Sequence, residues 1–78
     1  MAKRLENIGT NFKDIETDEV ILRGQLHNVG NFDGTGLTEE QISRKADELS
    51  GPGKRSVFYR AIRGERGAVS YIVYKSIK

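Results

Sequence analysis

The chain has 78 residues, 36% of them hydrophobic and 31% charged, a composition that fits one small globular domain and excludes intrinsic disorder. It holds no cysteine, which excludes a disulfide framework and any thiolate metal site, and no apolar run exceeds four residues (Tyr71 to Tyr74), which excludes a membrane-spanning helix. The formal net charge of +2 conceals a division: residues 1–50 carry six Lys/Arg against ten Asp/Glu, while residues 51–78 carry seven Lys/Arg against Glu65 alone.

That division predicts a dipolar molecule with one basic face. Its plainer meaning is mutual attraction between the two parts of the fold. Met1-Ala2-Lys3-Arg4 is not followed by the apolar core of a signal peptide, so the chain reads as a soluble, cytoplasmic protein.

The first dozen residues, MAKRLENIGTNF, place Leu5, Ile8 and Phe12 at spacings of three and four, the pattern of a short helix interrupted by Gly9 and Asn11. Residues 1–14 are expected to be loosely ordered. KDIETDE then reads as an exposed acidic turn. Residues 19–27, EVILRGQLH, alternate: Val20, Leu22 and Leu26 share one parity, and Arg23, Gln25 and His27 the other, as in a half-buried strand. NVGNFDGTG, with three glycines and two asparagines, reads as a loop.

Thr38-Glu39-Glu40-Gln41 matches a capping box, and its two acids suit the positive end of a helix dipole. Ile42, Ala46 and Leu49 continue at i, i+4 and i+7, and Gly51-Pro52 supplies a stop, so the pattern predicts a helix over about 38–50. The end of the chain, AVSYIVYKSI, is rich in Val, Ile and Tyr and reads as a strand over about 68–77.

Between them lies GPGKRSVFYRAIRGERG, residues 51–67, with five basic side chains and one acid. As a strand over about 55–63, it would pair with the last strand through GERG, with Gly64 and Gly67 free to take positive φ. As a helix, it would gather Val57, Phe58, Ala61 and Ile62 into an apolar face. In that form KRSVFYRAIRGERGAVSYIVY resembles the recognition helix and wing of winged-helix repressors, which implies a basic helix in the major groove. β-propensity favours the hairpin. The fold expected is therefore a small α+β domain: one helix packed on an antiparallel sheet with a C-terminal hairpin, a winged helix-turn-helix being the alternative. The expected core is Val20, Leu22, Leu26, Ile42, Ala46, Leu49, Val57, Val69, Tyr71 and Val73, joined by Phe58 or Ile62. So thin a core would gain from homodimerisation through a strand edge.

Several motifs fail on inspection. NFDGTGLTEEQI starts like a calcium loop but offers Thr38 at the eighth position and Ile42 at the twelfth, where a carboxylate is needed. GPGKRS lacks the phosphate-loop glycine, which would be residue 48, and has Arg55 in place of the hydroxyl residue. A simple anion site at Gly53, Lys54 and Arg55 is still compatible with it. His27, the single histidine, has no nucleophile or carboxylate at a telling spacing and reads as a surface residue. The pairs Glu39-Glu40 and Asp47-Glu48 point apart on a helix and read as a solvated face. No catalytic set and no cofactor motif assembles.

What remains is Lys54, Arg55, Arg60, Arg63, Arg66 and Lys75, interleaved with Tyr59. Arginine forks suit phosphate oxygens and tyrosine faces suit bases. The function expected is a non-enzymatic nucleic-acid-binding or regulatory module using this basic third of the chain. The alternative is a phage-type or mobile-element-type protein that docks on an acidic host-protein surface and inhibits or adapts it.

Overall fold

The structure, a computed structural model, describes residues 1–77. Six strands and one α-helix follow in the order β1 (Lys3–Ile8), β2 (Asn11–Asp14), β3 (Val20–Ile21), β4 (Leu26–Asp33), α1 (Glu39–Ser50), β5 (Val57–Arg63) and β6 (Val69–Ser76). The strands form a single sheet in the order β3-β2-β1-β5-β6-β4. The expected α+β domain with a helix on a sheet is what forms. The sheet is mixed rather than wholly antiparallel, because β1 runs parallel to β5, pairing Lys3 with Phe58 and Arg4 with Tyr59.

The two edges of this sheet, β3 and β4, are joined by only four residues, 22–25. Five spacings of about 4.8 Å would hold the edges of a flat six-stranded sheet roughly 24 Å apart. Five extended residue steps reach about 18 Å at most, and Arg23–Gln25 are wound into a 3-10 turn that shortens the reach. The sheet must therefore curl. The curl creates two cores: Leu5, Phe12, Phe58 and Tyr74 fill the concave face, whereas Ala2, Ile42, Ala46, Tyr59, Tyr71 and Val73 pack beneath α1 on the other.

The helix begins as its sequence dictates. The Thr38 hydroxyl accepts from the Gln41 amide at 3.2 Å, and the Gln41 side chain accepts from the Thr38 amide at 3.0 Å. Gly51 follows at φ 76° and ψ −177°, a conformation open to glycine, and its amide donates to the Glu48 carbonyl at 3.2 Å. Ser43 donates its hydroxyl to the Ala2 carbonyl at 2.8 Å, which ties the start of the chain to the helix.

Other expectations are corrected. The first dozen residues are not helical: β1 and β2 make a hairpin around Gly9-Thr10, with Gly9 at φ 61° as a two-residue turn of the primed kind requires. The strand expected at 19–27 is divided, because the chain there has to cross from one edge of the curled sheet to the other; Val20 and Leu22 are consequently 53% and 51% exposed. The loop expected at 28–36 is largely β4. Its pairing with β6 steps through a bulge between Asn28 and Gly30, and a side chain at Gly30 would press on Leu49.

Residues 57–63 are a strand and not a helix, and β5 pairs with β6 along its whole length, from Val57 opposite Lys75 to Arg63 opposite Val69. In the connection, positive φ falls on Arg66 and Gly67, while Gly64 is extended. Phe58 enters the core and Ile62 is left 39% exposed; Leu49 is exposed, and Leu26, Val57 and Val69 are partly covered.

Candidate functional site

The stop after α1 determines where the basic segment emerges. Gly51-Pro52-Gly53 turns the chain off the helix, with Gly53 at φ 146°. Lys75, in register with Val57, reaches back under this turn and its Nζ donates to the carbonyl oxygens of Ser50 at 3.2 Å and Pro52 at 3.4 Å. A cation on the last carbonyls of a helix meets the negative end of its dipole. Glycine suits position 53 because φ 146° is a conformation that side chains rarely adopt, and a side chain there would also start 3.3 Å from the Lys75 ammonium. Lys75 therefore clamps the turn, and Lys54 and Arg55 project from it into solvent.

Lys54 and Arg55 line a groove of about 440 Å³ together with Lys3, Ser50, Ser56 and Asp47. Lys3 was not joined to this group by sequence reasoning. Only the parallel pairing of β1 with β5 brings residue 3 beside residue 58, and no local pattern announces that pairing.

The other expected site residues lie elsewhere. Arg63 and Arg66 are exposed at the β5–β6 connection, six strand steps or roughly 20 Å from the groove. Tyr59 is buried under α1, and desolvation pushes its hydroxyl above the usual tyrosine range. Arg60 lies on the opposite, concave face, where its Nη2 donates to the Tyr74 hydroxyl at 3.3 Å. The seven residues are thus not one continuous patch: Lys54 and Arg55 line the groove with Lys75 clamped beneath their turn, Arg63 and Arg66 form a distant tip, Arg60 is on the concave face and Tyr59 is in the core.

Charge pairing is asymmetric. The four ion pairs among the described residues are Arg4–Glu39 at 2.8 Å, Lys13–Glu6 at 3.5 Å, Lys13–Asp18 at 3.3 Å and Arg44–Glu40 at 3.2 Å. Every cation in them comes from residues 1–50. None of Lys54, Arg55, Arg60, Arg63, Arg66 or Lys75 pairs with a carboxylate. Four of the ten acids in residues 1–50 are paired, all with cations of the same part, so that part keeps its excess of negative charge and no close ion pair among the described residues joins it to the basic third. Glu39 and Glu40 are exposed, as a solvated face requires, and each also pairs with an arginine at the surface.

The remaining candidates are structural. Asp33 accepts from the Thr35 hydroxyl at 2.6 Å and the Thr35 amide at 3.0 Å, closing the turn after β4. His27 is exposed on the edge strand β4. No helix among the described residues is long and apolar enough to cross a membrane. No protein-family model, curated protein or solved structure shows a significant match to this chain.

Proposed function

We propose that the chain is a non-enzymatic nucleic-acid-binding module that holds the phosphate backbone through the cations of its last third. The observation that carries this reading is a pairing asymmetry: among the described residues, Lys54, Arg55, Arg60, Arg63, Arg66 and Lys75 are in no ion pair, and Lys54, Arg55, Arg63 and Arg66 are exposed. Unpaired surface cations keep their full attraction for phosphate, and release of condensed counterions drives such binding.

Base stacking plays no part in this binding. Phe12, Phe58, Tyr59, Tyr71 and Tyr74 are buried in the two cores, so they offer bases no open ring face. Contacts limited to the backbone favour duplex over single strands and carry little sequence preference. The groove at Lys3, Lys54 and Arg55 and the tip at Arg63 and Arg66 would then meet separate phosphates, since a strand's length lies between them.

The test is fluorescence anisotropy with duplex and single-stranded oligonucleotides over a range of salt. Binding that falls steeply with salt and prefers duplex supports the proposal. Absence of binding at low salt overturns it.

A second reading, docking on an acidic protein, draws support from β4, an eight-residue strand at the sheet edge with its outer side unpaired. Recovery of one stoichiometric protein partner after nuclease treatment would favour it.

A further inference from the structure

Arg60 is in an unusual place for an arginine. It sits on β5, a strand flanked on both sides, and faces the concave core beside Phe58 and Tyr74. Its guanidinium carbon is 5.6 Å from the centre of the Phe12 ring. Its Nε is buried and has no hydrogen-bond partner among the described residues. No carboxylate among the described residues approaches it closely enough to pair. A guanidinium that is partly desolvated and left without a counter-charge is costly, and such groups call for an explanation, an absent ion being one of the standard ones.

A second cation lies close by. The guanidinium carbon of Arg23, from the turn joining β3 to β4, is 4.4 Å from the same ring centre. The two guanidinium carbons can therefore be no further apart than those distances added, about 10 Å. Arg23 is tied down by its own bonds: its Nε donates to the Thr10 carbonyl at 2.9 Å and its amide to Asn11 Oδ1 at 3.4 Å. It too has no carboxylate. Beside Arg60, the Tyr74 hydroxyl accepts from its guanidinium and still has its own proton to donate. Attraction to the Phe12 ring stabilises each cation by only about 0.5–2 kcal/mol and does nothing for their mutual repulsion.

We propose that Arg60, Arg23 and the Tyr74 hydroxyl form an oxyanion site at the concave face of the sheet that takes a phosphate group. Two arginine forks and one hydroxyl donor match the several oxygens of phosphate, and the anion supplies the counter-charge that both arginines lack. The site is separate from the Lys54–Arg55 groove and does not depend on it.

The test follows the arginine Nε–H signals of the ¹⁵N-labelled full chain by NMR during titration with inorganic phosphate, against chloride at matched ionic strength. Arg60→Lys and Arg23→Lys each remove one signal and so assign it. The site predicts that the Arg60 and Arg23 signals move together along one saturating curve. Arg23→Ala, a change at an exposed residue whose fold is checked by circular dichroism, should weaken the midpoint roughly tenfold, as loss of a charged hydrogen bond does. The double variant Lys54→Ala/Arg55→Ala should leave it unchanged. A second arm with a nucleoside monophosphate separates the sources: a tighter midpoint assigns the phosphate to a nucleotide, an equal one to the free ion. Shifts no larger than with chloride would overturn the proposal. So would a midpoint indifferent to Arg23→Ala, or one abolished by the groove variant.

Discussion

The rings of Phe12 and Tyr74 lie 5.2 Å apart, although their strands, β2 and β6, are separated in the sheet by β1 and β5. Three strand spacings would hold them about 14 Å apart across a flat sheet. The contact is the clearest expression of the curl that the short link between β3 and β4 imposes. It also explains how so small a chain buries Phe12 completely.

Phe12→Ala should therefore act on both arms of the curl at once. Removal of a fully buried phenyl ring costs about 3–5 kcal/mol where the site cannot collapse, a large share of the stability of a domain this size. Urea unfolding followed by tyrosine fluorescence should show the midpoint fall sharply. A loss below about 1 kcal/mol would mean that the ring is not part of the core.

Glycines divide by what surrounds them. A side chain at Gly34 would begin 2.3 Å from Cε2 of Tyr71, inside the ring's contact radius, whereas Gly24 has open space around it. Gly34→Ala should displace Tyr71 and cost about 1–3 kcal/mol. Gly24→Ala, with ordinary backbone angles, should be neutral or slightly stabilising. Paired thermal melts compare the two directly.

The N-cap is a local test. Thr38→Ala removes the acceptor for the Gln41 amide and should cost about 0.5–2 kcal/mol without changing the fold. Thermal melting with unaltered circular dichroism in the folded baseline is the expected result.

Asp33 gives a pH dependence with a definite sign. The Thr35 hydroxyl, and then its amide, hold the Asp33 carboxyl below the usual carboxylate range. The fold thus favours the ionised form. Its contribution is complete above the unfolded-state value near 3.9 and is lost as pH falls through the lower folded-state value. Carboxyl ¹³C titration should place Asp33 below typical aspartates, and Thr35→Val should move it back up.

Legibility in the sequence follows how local the cause is. The helix was readable because Thr38, Gln41 and Gly51 act within a few residues of one another, and the β5–β6 pair because Val57 to Arg63 and Val69 to Tyr74 carry strong β-propensity beside a short connection. The basic character of the last third was equally plain from counts. What the sequence hid depends on distant strands. Leu5, Ile8 and Phe12 mimic helical spacing, yet Leu5 and Phe12 face one concavity from two strands of a hairpin turned at Gly9. Asn28 and Gly30 look like loop residues because the bulge and the approach of Leu49 are met only once β4 lies against β6. Lys3 and Arg23 join the charged sites through the β1–β5 pairing and the edge-to-edge crossing, neither of which leaves a local trace.

Contact of the exposed cations Lys54 and Arg55 with nucleic-acid phosphates is read from the salt dependence of duplex binding by the wild-type chain and by Lys54→Ala/Arg55→Ala. Each lost phosphate contact lowers the slope of log K against log salt by about 0.9. The double variant should bind more weakly at every sequence tried, with a slope smaller by about 2. Equal slopes for the two proteins, or no binding by either at low salt, would contradict it.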